Sequence, residues 1–294
     1  MCQFCVQHGD GKKWYLEAST YAHDLDRDLK RREYLIDFVR GFGENREWAA
    51  RNLPRLDRAP APIRGVATAL FTRTMKKNHF GQPVPIEECE QIFDIATSVV
   101  RLPCPCRYHA GKPDEGYCLA ITTRPIDALL EEAFASYDAG PDVAKFQRLT
   151  KAQALQLLRH AEDQGLMHSV WTFVTPFVGA ICNCNVDSGC MAMDLTVTHA
   201  VPVMFKGEYI AQVDVDACLG CTACVERCPF GAISMDPASH RAVIDREACY
   251  GCGTCRSGCA FDAIALHDRT TGEPLAVPIA AHVVSGPATT AATG

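Results

Sequence analysis

The chain has 294 residues, 48% of them hydrophobic and 22% charged, with 29 basic against 35 acidic side chains and a net charge of −6. This composition excludes wholesale disorder, and its mild acidity offers nucleic acid no electrostatic footprint. No apolar run approaches the roughly 18 residues of a membrane span, and the length suggests two domains.

Seventeen cysteines are the exceptional feature. The opening Met1 to His8 lacks the charged start and apolar stretch of an export signal, so the expected location is cytoplasmic. In a reducing compartment, thiols in such number serve as metal ligands or redox groups rather than as a disulfide framework. The first candidates are Cys2, Cys5 and His8, spaced C-x2-C-x2-H. They suit zinc or a cluster completed elsewhere, with an unliganded terminus as the alternative.

Residues 1–205 read as mainly helical with a small β portion, which makes the chain α+β. A charged segment over 24–40 carries the apolar stripe Leu25, Leu29, Ile36 and Val39, with Gly41 and Gly43 placed to end it. A second helix is expected over 86–101, with Cys89, Ile92, Phe93, Ala96, Val99 and Val100 on one face; Cys89 there is a core thiol. A third is expected over 125–138. A fourth has Thr150 as N-cap, Gln153 as its capping-box partner and Gly165 as terminator. His168 to Val174 then alternates as a strand, a helix-to-strand order that also fits a winged-helix-like unit. His79, His168 and His199 sit among apolar residues, where core or hydrogen-bonding roles are the default.

Six cysteines stand in loop-like blocks of this part: Cys104 and Cys106 with Arg107, Cys118, Cys182 with Cys184, and Cys190. If the blocks meet in space, four of the six complete a further Fe–S cluster or a zinc site, with Arg107 placed to offset sulfur charge. Buried, unliganded thiols are the bland alternative.

The strongest pattern follows. Cys218, Cys221, Cys224 and Cys228 are spaced C-x2-C-x2-C-x3-C and followed by Pro229, and the spacing repeats 31 residues later as Cys249, Cys252, Cys255 and Cys259. Val215-Asp216 precedes the first copy and Ile244-Asp245 the second, while Ala232-Ile233-Ser234 and Ala263-Ile264-Ala265 follow them. A [4Fe–4S] cube needs a thiolate on each of four irons, and two-residue gaps let one tight loop wrap three corners. Gly220, Gly251 and Gly253 allow the backbone angles that such a loop requires. Zinc needs four ligands but not this interleaved spacing.

The segment over about 206–268 resembles the bacterial-type two-cluster ferredoxins. The resemblance implies a crossed arrangement, with one cube on Cys218, Cys221, Cys224 and Cys259 and the other on Cys249, Cys252, Cys255 and Cys228. Ala260 departs from the family's proline. The upstream blocks Cys104 to Arg107, Gly165 to His168 and Ile181 to Cys184 are similar to those of ferredoxin-fused proteins of anaerobes, although only Cys190 follows the last block here.

The organisation expected is a partner-docking domain over 1–205, a ferredoxin-like domain over 206–268, and a flexible or partner-bound tail over 269–294. The sequence lacks a dinucleotide fingerprint, a Walker loop and a nucleophile elbow. An electron-transfer subunit of a larger oxidoreductase is therefore the leading reading. Two others stay open: an oxidoreductase with its own substrate or flavin site in the N-terminal domain, and a redox-sensing regulator.

Overall fold

Strands form where small and β-branched apolar residues run together, and six of them assemble the main sheet of this protein. The computed structural model describes residues 13–17, 29–112, 116–123, 127–137, 146–175 and 177–276. The sheet strands are β1 (Gly81–Pro83), β2 (Ser98–Leu102), β3 (Cys118–Thr122), β4 (Gln147–Leu149), β5 (Met167–Thr172) and β6 (Val178–Cys184). They pair antiparallel throughout, in the order β1-β5-β6-β3-β2-β4.

Helices cover both faces, which is why β3 and β5 are buried along their whole length rather than on alternate residues. They are α1 (Leu29–Arg40), α2 (Phe42–Asp57), α3 (Ala61–Asn78), α4 (Ile86–Ile95), α5 (Pro105–Tyr108), α6 (Asp127–Ala133), α7 (Lys151–Asp163) and α8 (Met191–Met193), the last continued by a π-helical turn over Asp194–Thr198. On one face, Cys89, Ile92 and Phe93 of α4 and Leu155 and Leu158 of α7 pack on Val99, Leu119, Ile121, Val170 and Ile181. On the other, Leu35 and Val39 of α1 and Leu130 and Ala133 of α6 pack on Val100, Cys118 and Ala120. The two-residue period thus sorts every second strand residue between two cores.

The α+β class and the capping box of α7 match the sequence reading. Thr150 Oγ1 accepts the Gln153 N–H, and Gln153 Oε1 accepts the Thr150 N–H. Other boundaries differ. Gly41 only breaks the chain between α1 and α2, and Gly43 lies inside α2. On α1, Leu35 joins Ile36 and Val39 in the core while Leu29 is exposed; Leu25 falls outside the described residues.

The helix expected over 86–101 stops at Ile95. Val99 and Val100 belong to β2, where pairing with both β3 and β4 outweighs the helical periodicity. The third helix is shorter than expected, ending at Ala133. β5 lies between β1 and β6 in the covered sheet, so α7 and β5 are not a winged-helix unit.

The C-terminal part contains two small antiparallel pairs, β7 (Tyr209–Val213) with β10 (Ile264–Asp268) and β8 (Ile233–Met235) with β9 (Ala242–Ile244), plus the short helices α9 (Ala223–Arg227) and α10 (Thr254–Ser257). It is joined to the N-terminal part through buried polar groups. Glu88 on α4 is completely buried and accepts hydrogen bonds from the hydroxyls of Tyr15 and Tyr209, with Lys13 Nζ at 2.9 Å. Burial and the Glu88 charge push both phenols well above their ordinary pKa. Beside them Trp14 Nε1 donates to Gln82 Oε1 at 2.7 Å, and Gln82 Nε2 donates to Glu208 Oε1 at 2.7 Å. Arg256 of α10 pairs with Glu87 at 2.9 Å.

Removing one member of such a buried set leaves the others desolvated and unpaired. Glu88→Ala is expected to cost about 3 kcal/mol of stability, read as a lower denaturant midpoint on anaerobic unfolding. An unchanged midpoint would show that the latch contributes nothing.

Candidate metal centres

Each cysteine loop of the C-terminal part is launched by an aspartate turn. Asp214 Oδ1 accepts the N–H groups of Asp216 and Ala217 at 3.0 and 3.3 Å, and its carbonyl accepts the Cys218 N–H at 3.0 Å. Asp245 repeats this with Glu247 and Ala248 at 2.8 and 3.2 Å and with Cys249 at 2.9 Å. The counterpart of Asp245 is therefore Asp214, and Val213-Asp214 rather than Val215-Asp216 is the matching flank.

Both loops then turn left-handed. Gly220 (φ 71°) lies so close to the His240 carbonyl that a Cβ would sit 2.3 Å from its oxygen, and at Gly251 (φ 74°) the Tyr209 carbonyl oxygen would be 2.1 Å away. A side chain at either position would force the loop open.

The loops bring the thiols together in fours. Cys218, Cys221, Cys224 and Cys259 line one small cavity of about 20 Å³. Cys252 and Cys255 lie within electrostatic reach of Cys249 and Cys228. The surroundings of the two groups differ. Backbone N–H groups of Ala242 and Gly220 lower the Cys218 thiol, while Cys221 is exposed. Burial pushes Cys252 up to about 11 and Cys255 well up, so a bound metal must stabilise the thiolates that burial opposes.

Residues 206–263 match the family model of a 4Fe–4S dicluster domain. The segment, termed the dicluster domain, is thus similar to such domains, and the match supports an iron–sulfur electron-transfer role. No curated protein matches the chain.

Upstream of the dicluster domain, the sheet arranges a second set of thiols. Cys182 and Cys184 sit two apart on β6 and so share a face. The β3–β6 register pairs Leu119 with Ile181, so one step further sets Cys118 opposite Cys182, their Sγ atoms 3.9 Å apart. Cys104 and Cys190 stand at the N-caps of α5 and α8, and Cys106 lies within α5.

Thiol contacts join Cys118 to Cys104, Cys104 to Cys106, Cys106 to Cys190, and Cys190 to Cys184. All six cysteines form one continuous array, where the sequence called for four of six. Hydrogen bonds from neighbouring thiols pull Cys104 and Cys190 well below the usual thiol value. The same bonds push Cys106, Cys118 and Cys184 up.

Donors and acceptors therefore alternate along the array, as expected of soft ligands waiting to exchange protons for metal. Among the described residues, no group of three or more His, Cys, Asp or Glu side chains is placed to hold a single metal ion, at the upstream array or in the dicluster loops.

Arg107 takes a different place from the one expected. It is buried, its Nη2 donates to the Asn183 carbonyl at 3.1 Å, and its guanidinium lies 4.5 Å from the Tyr117 ring centroid. It braces the Cys182–Cys184 segment from behind. Cys89 is a completely buried core thiol. His79 Nδ1 donates to the Thr172 carbonyl at 2.6 Å, His168 Nδ1 lies 2.6 Å from Asn183 Oδ1, and His199 Nδ1 lies 2.7 Å from Asp57 Oδ2. Cys2, Cys5 and His8 lie outside the described residues.

Sequence reasoning missed the stacked rings of Phe230 and Tyr250, 3.9 Å apart and within 7° of parallel, which pack in one apolar cluster with Cys252, Cys184 and Cys190. Their positions right after Pro229 and Cys249 were the only available signal. Among the described residues, no helix is long and apolar enough to cross a membrane.

Gly251→Ala should reduce iron bound per chain, because a Cβ there meets backbone. Gly65→Ala on α3, where a Cβ meets nothing within 4 Å, should leave it unchanged. Equal iron in the two variants would contradict the role given to the Gly251 turn.

Proposed function

We propose that this protein is an iron–sulfur subunit that relays single electrons between its dicluster domain, a third cluster on the upstream cysteines and a larger oxidoreductase. Within this reading, residues 1–205 carry the third cluster and dock the partner, and residues 206–268 hold two cubes in the crossed ligand arrangement; of the tail expected over 269–294, residues 277–294 lie outside the described residues. Bound cubes supply one-electron storage at each site.

The observation that carries the proposal is one apolar cluster in which partly buried Cys252, Tyr250 and Phe230 pack with buried Cys184 and Cys190. It brings members of the two thiol sets into one packed region. The Glu88 network and the Arg256–Glu87 pair fix the dicluster domain against the sheet, so the spacing that tunnelling depends on does not drift. At the far end Cys221 is exposed between Leu219 and Phe261, which are 60% and 45% exposed. That apolar rim suits a redox partner delivering or removing electrons at the outer cube.

Iron and acid-labile sulfide measured on anaerobically purified protein test the reading. Three cubes require about 12 iron atoms per chain, and two require about 8. The double variant Cys104→Ser, Cys190→Ser should lose about four irons while keeping the spectrum of the dicluster domain. Wild-type protein with about 8 irons, or with zinc in place of the additional iron, would remove the third cluster. Purification as a lone chain, with no large catalytic subunit attached, would remove the relay role.

A further inference from the structure

The array of six cysteines lines a cavity of about 830 Å³ that opens to solvent and is bordered by α1, α2, α3 and the sheet. An iron–sulfur cube is only a few ångströms across and fills a small part of it. The volume lies within the range of about 300–1,000 Å³ typical of sites for small organic molecules. The lining is mostly thiol, aliphatic and aromatic, and its formal charges are confined to Asp37 and Arg55. Away from those two side chains the lining offers a charged ligand no counter-charge for the water it would lose.

The lining beside the thiols is aromatic, with Trp171 on the sheet face that also carries Cys182 and Cys184. His79 is packed by Phe38, Trp171 and Phe173, with ring centroids 4.3, 4.9 and 4.9 Å away. A flat π-system is the shape that such rings hold best.

His79 adds direction. It lines the cavity and is 8% exposed. A carbonyl can only accept, so the bond from Nδ1 to Thr172 puts the ring proton on Nδ1 and leaves a lone pair on Nε2. Among the described residues Nε2 has no hydrogen-bond partner. Burial lowers the His79 pKa to about 4, so the imidazole is neutral near pH 7. His79 Nε2 is not among the buried atoms left without a partner, so it is an accessible neutral acceptor on the cavity lining, suited to a hydroxyl or N–H donor.

We infer that this cavity binds a flat, uncharged aromatic molecule bearing a hydroxyl or N–H donor, which lies over the adjoining cysteines and the Phe38–His79–Trp171 rings and donates to His79 Nε2. The inference goes beyond the relay and does not rest on it, since binding requires neither a third cluster nor electron flow.

Calorimetric titration of the full, anaerobically purified chain tests it with three probes: 2-naphthol, naphthalene and naphthalene-2-sulfonate. The expected result is saturable one-site binding of 2-naphthol, about tenfold weaker binding of naphthalene, and none of the sulfonate; a tenfold difference equals about 1.4 kcal/mol, the size of one buried hydrogen bond. His79→Phe keeps the ring and removes the acceptor, so it should bring 2-naphthol down to the affinity of naphthalene. Ala67→Trp, from a half-buried position of α3 on the lining, should block both while iron content stays at the wild-type value.

Absence of saturable 2-naphthol binding by protein with wild-type iron would overturn the inference, as would equal binding of all three probes or undiminished binding by Ala67→Trp. The comparison of probes on wild-type protein needs no variant, so misfolding of either variant leaves the inference open to refutation. Iron content reports on the third cluster separately.

Discussion

A carboxylate with no access to water holds this protein's two halves in register. Glu88 sits on α4 of the N-terminal part, yet its partners include Tyr209, on the first strand of the dicluster domain. Burying a carboxylate is tolerable only when its lone pairs are filled and its charge is answered, which here takes two phenols and the Lys13 ammonium. Such a set is directional in a way that apolar packing is not. Sliding the dicluster domain by one residue would leave several buried groups unpaired, so the Glu88 set selects a single docking geometry. An electron-transfer protein needs that selection, because rates between centres depend steeply on their separation.

With the docking fixed, strand periodicity does the rest. Alternate residues of β3 and β6 face opposite cores, and the register sets Cys118 against Cys182 with Cys184 two places along. Helix N-caps then supply Cys104 and Cys190, positions where the first backbone amides point outward and favour negative charge. The array is thus assembled from three kinds of local structure that have no sequence motif in common. The dicluster loops work differently: ligand spacing, glycine turns and aspartate caps lie in one short stretch, duplicated.

That contrast explains what was legible. The dicluster ligands could be read residue by residue because their geometry is local. So could the α7 capping box, which spans only four residues. The β2 strand could not be read, since Val99 and Val100 also satisfy a helical period and the deciding partners of Val99, Ile121 and Leu149, are distant in sequence. Helices α2 and α3 went unseen because Trp48, Ile63, Val66 and Leu70 stay exposed and leave no clean apolar stripe. The six upstream cysteines were recognisable as candidates, but their union into one array depends on strand register. The aromatic cavity depends on how α1 to α3 lie over the sheet, and a lone His79 among apolar residues did not announce it. The aspartate flank was misassigned because two acidic residues, Asp214 and Asp216, precede the first loop and only hydrogen bonding tells them apart.

The two dicluster thiol groups differ in their contact with solvent. Cys221 is exposed, whereas Cys255 is enclosed and Cys252 packs against the apolar cluster shared with the sheet. Oxidants reach thiolates in proportion to their exposure. Within the dicluster domain, oxidation in air therefore begins at the Cys221 loop before it reaches the enclosed Cys255 side, so the domain's outer loop shields its inner one.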